Sequence, residues 1–178
     1  MGSGKTTIGN RLAPRLGLKF HDCDQEIEAR TGASVNLIFD IEGESGFRER
    51  ESRMLEELAA REGVLVATGG GAMTLEANRQ LLRESGIVVY LQTPVERQLQ
   101  RLRRDKTRPL LRTGDRRSRL EELARIRNPQ YEAAAHLVFP ARSRSIERAV
   151  NQIYKSIKAF SENKDETLSA TENEQPDS

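Results

Sequence analysis

Four short strand-like segments, three of them apolar runs, alternate with helix-like segments in this 178-residue chain. Apolar runs of this length are typical of buried strands, and strands that alternate with helices indicate a parallel sheet. The sequence therefore predicts an α/β protein in which helices flank a parallel sheet. The predicted strands are residues 18–22, 64–68, 87–91 and 137–139, and the predicted helices are residues 4–16, 25–30, 34–41, 44–61, 75–84, 94–103, 117–134 and 145–160.

The length and charge distribution predict one domain followed by a short tail. A chain of this size usually forms a single domain. Residues 161–178 contain six acidic residues and one lysine among few apolar ones, a composition typical of disorder. We therefore expect one domain over residues 1–160 and a disordered acidic tail over residues 161–178. The basic body suits phosphorylated or carboxylated ligands, although an ordinary solvated surface explains the charge equally well.

Hydropathy and cysteine content predict a cytoplasmic protein. No apolar stretch approaches the roughly 20 residues that a membrane-spanning helix needs, and no secretory signal opens the chain. Cys23 is the only cysteine, so it cannot form an internal disulfide. We expect no membrane or nucleic-acid partner.

The first seven residues resemble the second half of a phosphate-binding loop. In the pattern G-x-x-x-x-G-K-[ST], backbone amides surround the β-phosphate, the lysine reaches the β- and γ-phosphates, and the hydroxyl binds Mg²⁺. Gly4, Lys5 and Thr6 fit its last three positions, whereas its first glycine would precede Met1. A plain helix start with a surface lysine is the alternative, but the helical stripe and strand that follow favour nucleotide binding.

Asp22 and Asp24 follow the first predicted strand. Alternate residues of a strand point to the same side, so both carboxylates are expected to face one cleft, where they could serve a metal and a hydroxyl. A simple helix cap by Asp24 is the alternative.

Three glycines and three arginines complete the candidate site. Gly69, Gly70 and Gly71 follow the second predicted strand, where ligands bind in open parallel sheets and where glycine allows close backbone approach. Guanidinium groups bind carboxylate or phosphate with two parallel hydrogen bonds. The arginines are Arg48, Arg108 and Arg127, each of which could also be an ordinary surface charge.

Taken in order, these segments resemble the shikimate kinase family. The resemblance covers about residues 1–155 and rests on GSGKTT, DCDQEIEARTG, FDIEGESGFRERE, ATGGGA, DKTRPLL and RNPQYE. It implies transfer of the γ-phosphoryl group of ATP, with Mg²⁺, to the 3-hydroxyl of shikimate, a step in the chorismate route to aromatic amino acids. It also implies a nucleoside-monophosphate-kinase-like P-loop fold and a mobile lid over about residues 105–119.

The resemblance also assigns roles to residues. Thr6 and Asp22 would support the metal, Lys5 would contact the phosphates, and Asp24 would bind the acceptor hydroxyls and act as the base or orienting group. Arg108 would close with the lid onto the phosphates, and Glu51 would hold Arg48 in place. The nucleotide-binding set would be Gly2, Ser3, Gly4, Lys5, Thr6, Thr7, Arg101, Arg108 and Arg144, with the last of these and Arg101 on the adenine side. The shikimate-binding set would be Asp24, Arg48, Gly69, Gly70, Gly71 and Arg127.

Two other functions stay open at this point. One is a different small-metabolite P-loop kinase that resembles gluconate kinase, and the other is a non-catalytic nucleotide- or metabolite-binding protein. The glycine run together with Arg48 and Arg127 favours shikimate over gluconate. Asp24 combined with the lid residue Arg108 argues against a pure binding protein. A monomer is expected.

The start of the chain departs from the family pattern. Members are expected to have a first strand in the middle of a five-stranded sheet of order 2-3-1-4-5, and no such strand precedes Gly2 here. The strands that flank this position would then lack a partner, and each buried unpaired backbone group costs about 1–3 kcal/mol. We therefore expect residues 1–178 alone to fold poorly and a start codon roughly ten or more residues upstream of Met1.

Overall fold

The computed structural model describes residues 2–102, 115–140 and 145–172, with side chains through Asn163. Helices and strands alternate along these segments, as the sequence predicts, and a short 3₁₀ helix at Ala72–Thr74 follows the second strand. The strands are β1 Lys19–Asp22, β2 Val64–Ala67, β3 Val89–Gln92 and β4 Leu137–Pro140. The helices are α1 Lys5–Leu16, α2 Cys23–Thr31, α3 Val35–Ala59, α4 Glu76–Ser85, α5 Val95–Leu102, α6 Arg116–Ala134 and α7 Ile146–Glu172.

All strand pairs in the described part of the chain are parallel, which confirms the predicted sheet type. β1 pairs with β2 from Lys19 opposite Val64 to Asp22 opposite Ala67, and β3 pairs with β4. These pairs form two separate two-stranded sheets. Within the described residues, β2 therefore pairs only with β1, and β3 pairs only with β4.

The strands carry apolar side chains on both faces. Leu65 packs in a cluster around Leu12, Val150 and Ile153, whereas its neighbour Val66 packs against the cluster formed by α2 and α3. This alternation follows from the two-residue period of a strand. α1 and α7 thus cover one face, and α2, α3, α4 and α6 cover the other. Sheets covered on both faces explain why β2, β3 and β4 are mostly apolar, whereas β1 also contains Lys19, His21 and Asp22.

Residues 34–41 and 44–61 are expected to form two helices, and α3 consists of two helical segments that meet at a break between these ranges. The backbone leaves helical geometry only at Gly43, where φ is 71° and ψ is −175°. Glycine adopts this positive φ without the steric cost that a Cβ imposes. Ser34 caps the beginning of the helix by accepting a hydrogen bond from the Leu37 amide. The break redirects the second half of α3, which carries Arg48 and Glu51.

Two predicted boundaries are corrected by the structure. The lid was expected to reach residue 119, but α6 begins at Arg116, after Asp115 caps it by accepting hydrogen bonds from the Arg117 and Ser118 amides. Residues 103–114 lie outside the described residues. The second correction concerns the tail: α7 continues through Glu172, so residues 161–172 are helical where disorder was expected. A helix can continue beyond its apolar face because its backbone hydrogen bonds lie within the helix itself. Most of residues 162–166 are also good helix formers, which favours this extension of α7.

No helix in the described part of the chain is both long enough and apolar enough to cross a membrane.

Candidate functional site

The N-terminus of α1 forms one wall of the candidate site. Gly2 has φ of 63° and Gly4 has φ of 90°, and α1 begins directly afterwards at Lys5. These backbone angles turn the chain sharply into α1, whose N-terminus presents the first amides of the helix. The Lys5 ammonium lies 3.5 Å from the Ser3 hydroxyl. A helix N-terminus with a lysine in its first turn is suited to bind phosphate.

Asp22 joins this loop to the end of β1. The Thr6 hydroxyl donates a 2.7 Å hydrogen bond to Asp22 Oδ2, and Asp22 Oδ1 accepts a 3.2 Å bond from the Asp24 amide. The second bond caps α2, which begins at Cys23. Asp24 therefore lies in the first turn of a helix, and the prediction that it shares a strand face with Asp22 is wrong. The cap turns the chain into a helix two residues earlier than expected.

Asp24 nevertheless reaches the same cavity as Asp22. A cavity of about 250 Å³ brings together residues from the phosphate loop, the end of β1 and the glycine run. Its lining includes all six predicted phosphate-loop residues, both aspartates and Arg101. The sequence motifs that were predicted to form one site are therefore neighbours in the fold. The cavity is lined by Gly2, Ser3, Gly4, Lys5, Thr6, Thr7, Asp22, Asp24, Thr68, Gly69, Gly70, Arg101 and Leu102.

Gly69 and Gly71 are packed so closely that a side chain at either position would collide with a charged group. A Cβ at Gly69 would stand 2.0 Å from Glu51 Oε1 and 3.1 Å from Asp24 Oδ1. A Cβ at Gly71 would stand 2.0 Å from the guanidinium carbon of Arg48. Neither position has a positive φ, so the steric contact rather than backbone conformation requires glycine. The glycine run thus lies directly against two carboxylates and a guanidinium.

Arg48 is held by two carboxylates on α3. It donates a 2.6 Å hydrogen bond to Glu51 and a 2.9 Å bond to Glu44. The side chain of Glu51 is completely buried, and its Oε1 has no hydrogen-bond partner among the described residues. Burial raises the pKa of Glu51, although the Arg48 guanidinium pulls it down. Glu51 therefore fixes the orientation of Arg48, as the spacing of one helical turn predicts.

Arg127 and Tyr131 bring α6 to the other side of the glycine run. Arg127 is buried, and it lines an adjoining cavity with Gly69, Gly70 and Tyr131. The Tyr131 hydroxyl donates a hydrogen bond to the Gly70 carbonyl. Sequence reasoning did not single out Tyr131. Its position one helical turn after Arg127, within the RNPQYE segment, is the signal that points to it.

The structure describes one of the three arginines that were expected to bind the nucleotide. Arg101 donates a 2.9 Å hydrogen bond to the Gly2 carbonyl, so it contacts the phosphate loop. Its predicted position beside adenine stays a prediction. Arg108 and Arg144 lie outside the described residues.

The oxygen donors of Thr6 and Asp22 fit a magnesium ion. Mg²⁺ prefers hard oxygen ligands, keeps several waters, and commonly takes only one or two ligands from the protein, with phosphate oxygens supplying others. The described residues contain no cluster of three or more histidine, cysteine or acidic residues that could hold a metal by themselves. A hydroxyl and a carboxylate at the phosphate loop are therefore the donor set expected for a metal bound together with a nucleotide.

Comparison with known proteins gives a consistent result. Residues 1–158 match the family model described as shikimate kinase. A shikimate kinase of Thioalkalivibrio sulfidiphilus is 54% identical over 153 residues, which cover 86% of this chain and 80% of that protein. The solved shikimate kinase of Acinetobacter baumannii in complex with shikimate superposes with a TM-score of 0.87 at 47% identity, covering 90% of this chain and 89% of that one. A Bacteroides thetaiotaomicron shikimate kinase has a TM-score of 0.81 at 33% identity, with coverage of 89% and 94%.

Proposed function

This chain belongs to the shikimate kinase family, and we propose on that premise that it transfers the γ-phosphoryl group of ATP to the 3-hydroxyl of shikimate. The products are ADP and shikimate 3-phosphate, and the reaction serves aromatic amino acid biosynthesis. One observation carries the proposal: a single cavity joins the phosphate loop, the two aspartates and the glycine run. A kinase needs this arrangement because donor phosphate and acceptor hydroxyl must meet in line.

The donor half of the site is the loop from Gly2 to Thr7. Its amides and the N-terminus of α1 face the phosphates of ATP, and the Lys5 ammonium adds a positive charge within the same cavity. Arg101 fixes the loop through its hydrogen bond to the Gly2 carbonyl. These groups stabilise the charge that spreads over the phosphate oxygens during transfer.

Thr6 and Asp22 would hold Mg²⁺ at this loop. Their oxygens are 2.7 Å apart, and the hydrogen bond between them keeps both at the beginning of α1. When bound, the ion neutralises phosphate charge and orients the β- and γ-phosphates. Asp22 also caps α2, so its carboxylate is fixed by both partners before any ligand arrives.

The acceptor half combines one carboxylate with the buried guanidinium of Arg127 and the partly buried guanidinium of Arg48. Asp24 lies between the phosphate loop and the glycine run, where its carboxylate can accept a hydrogen bond from the attacking hydroxyl and take its proton. Arg48 lies against Gly71, Arg127 lines the adjoining cavity with Gly69 and Gly70, and the two guanidinium groups provide the positive charge that the carboxylate of shikimate requires. Arg108, outside the described residues, would add a charge from the lid in the closed state.

The monomeric state and the cytoplasmic location expected from the sequence stay predictions.

A coupled assay of ADP release tests the proposed function. Purified protein is incubated with Mg·ATP and with shikimate, with gluconate, or with no acceptor, and shikimate 3-phosphate is identified by mass. We expect turnover that depends on shikimate and a background rate with gluconate equal to that without acceptor. Turnover with gluconate alone would assign the chain to the other kinase class. Nucleotide binding without turnover on any acceptor would indicate a binding protein.

A further inference from the structure

Side chains from α6, α4 and the 3₁₀ helix hold the carbonyl groups of Gly70, Ala72 and Gly71. The Gly70 carbonyl accepts from the Tyr131 hydroxyl, and the Ala72 carbonyl accepts a 3.0 Å bond from the buried Asn78 amide. The Gly71 carbonyl accepts from both the hydroxyl and the amide of Thr74. These hydrogen bonds hold consecutive peptide groups of residues 70–72 in place, although this segment pairs with none of the described strands.

The planarity of the peptide bond makes the Tyr131 contact informative. The Gly70 carbonyl and the Gly71 N–H belong to one planar unit and point in opposite directions. A hydroxyl that holds the carbonyl towards α6 therefore aims the Gly71 N–H away from α6. This N–H donates no hydrogen bond to any residue that the structure describes. A Cβ built on Gly71 would overlap the Arg48 guanidinium, so Gly71 lies beside that side chain.

We propose that Tyr131 is a positioning residue for the acceptor: by holding the Gly70 carbonyl, its hydroxyl directs the Gly71 N–H to the substrate carboxylate beside Arg48. The inference rests on the proposed function, because that function supplies the carboxylate. A backbone N–H and a guanidinium placed side by side form the kind of donor pair that binds a carboxylate oxygen.

The surroundings of Tyr131 suit this role. Its ring packs against Tyr90 with 5.1 Å between ring centroids, so the phenol has a fixed direction. Burial raises the pKa of Tyr131 against the lowering effect of Arg127, so the hydroxyl keeps its proton and stays a donor throughout the neutral range. Arg127 and Tyr131 lie one turn apart on α6. The same helix therefore supplies a guanidinium for the substrate and orients the Gly71 N–H.

Tyr131→Phe tests the proposal because it removes the hydroxyl and keeps the ring. Tyr90→Phe is the matched control: its hydroxyl donates a 3.0 Å hydrogen bond to Asn128 on the same helix and does not contact the glycine run. We expect Tyr131→Phe to raise the KM for shikimate about 3- to 10-fold, as one misdirected hydrogen bond implies, with kcat and the KM for ATP changed less than about twofold. Tyr90→Phe should leave the KM for shikimate within about twofold of the parent.

The carboxamide of shikimate separates positioning from a general loss of structure. If Tyr131 acts through the substrate carboxylate, the preference in kcat/KM for the acid over the carboxamide should fall about 3- to 10-fold in Tyr131→Phe. An equal loss with both substrates, or a KM for shikimate no higher than in the control, would overturn the proposal.

If the parent does not phosphorylate shikimate, the proposed function is refuted. The rate of amide hydrogen exchange in residues 68–75 then still tests whether Tyr131 holds this segment. The amides of Ala72 and Thr74 are bonded within the glycine run, to the Gly69 and Gly71 carbonyls. We expect faster exchange of this segment in Tyr131→Phe than in Tyr90→Phe. Equal exchange in the two variants would show that the hydroxyl does not fix the segment.

Discussion

Gly71→Ala should disable the acceptor side of the site through a single methyl group. Gly71 has φ of −98° and ψ of −12°, which alanine adopts without strain, so the substitution adds a steric effect alone. The new Cβ would lie 2.0 Å from the guanidinium carbon of Arg48, whereas two carbons in contact need about 3.5 Å. The guanidinium must therefore withdraw by about 1.5 Å.

A displacement of that size separates Arg48 from Glu51. Their present distance is 2.6 Å, and hydrogen bonds of this kind extend to only about 3.2 Å. Loss of one partner from a buried ion pair costs about 3–5 kcal/mol. Because the pKa of Glu51 is already raised, protonation relieves part of the unpaired charge, and we expect about 3 kcal/mol at neutral pH. The KM for shikimate should rise about 10- to 100-fold, the value of a charge-assisted hydrogen bond.

Urea unfolding and steady-state kinetics measure the two effects. Gly86→Ala is the matched control, because its Cβ would meet nothing within 4 Å and its backbone is extended. We expect the control to unfold within about 0.5 kcal/mol of the parent, as surface substitutions usually do. If Gly71→Ala unfolds like the control and binds shikimate within about twofold of the parent, the assigned packing of Arg48 against the glycine run is wrong.

Three further predictions concern other parts of the fold. Asp24→Asn should abolish transfer while ATP binding, measured by calorimetry, changes little; the exposed-carboxylate control Glu62→Gln should keep full activity, and a turnover of Asp24→Asn within a few-fold of the parent would exclude Asp24 as the base. Because the folded-state pKa of Glu51 is raised, its stabilising contribution is complete below the ordinary value of 4.5 and is lost as pH rises through the folded-state pKa. In urea titrations, the stability advantage of the parent over Glu51→Gln should therefore decrease as pH rises from about 4 to 8. A difference that stays constant or grows with pH would show that the pKa of Glu51 is not raised by folding. Gly9→Ala should destabilise the chain by about 1–3 kcal/mol in thermal melting, because its Cβ would stand 2.2 Å from the Phe20 ring. A melting temperature equal to or above that of the parent would show that the gain in helix propensity outweighs this overlap.

The sequence by itself determined the local features of this protein. The alternation of apolar runs and helical stripes predicted the strands and α-helices of the described segments, mostly to within one or two residues, but it missed the 3₁₀ helix at Ala72–Thr74 and the extension of α7 to Glu172. Gly17 was expected to end α1, and it does so with φ of 70°. The placement of the phosphate loop at the beginning of α1 also followed from the sequence. These features depend on interactions between residues close in the chain, which a pattern of neighbouring residue types records.

The tertiary structure alone decided how the site is held together. The contact of Tyr131 with Gly70 joins residues 61 positions apart, and no local pattern specifies such a distance. Complete burial of Glu51 likewise arises only when α3 is covered by the glycine run. Burial and hydrogen-bond partners depend on which surfaces the folded chain brings together, so the sequence indicated candidate residues for the site, whereas packing determined their burial and orientation.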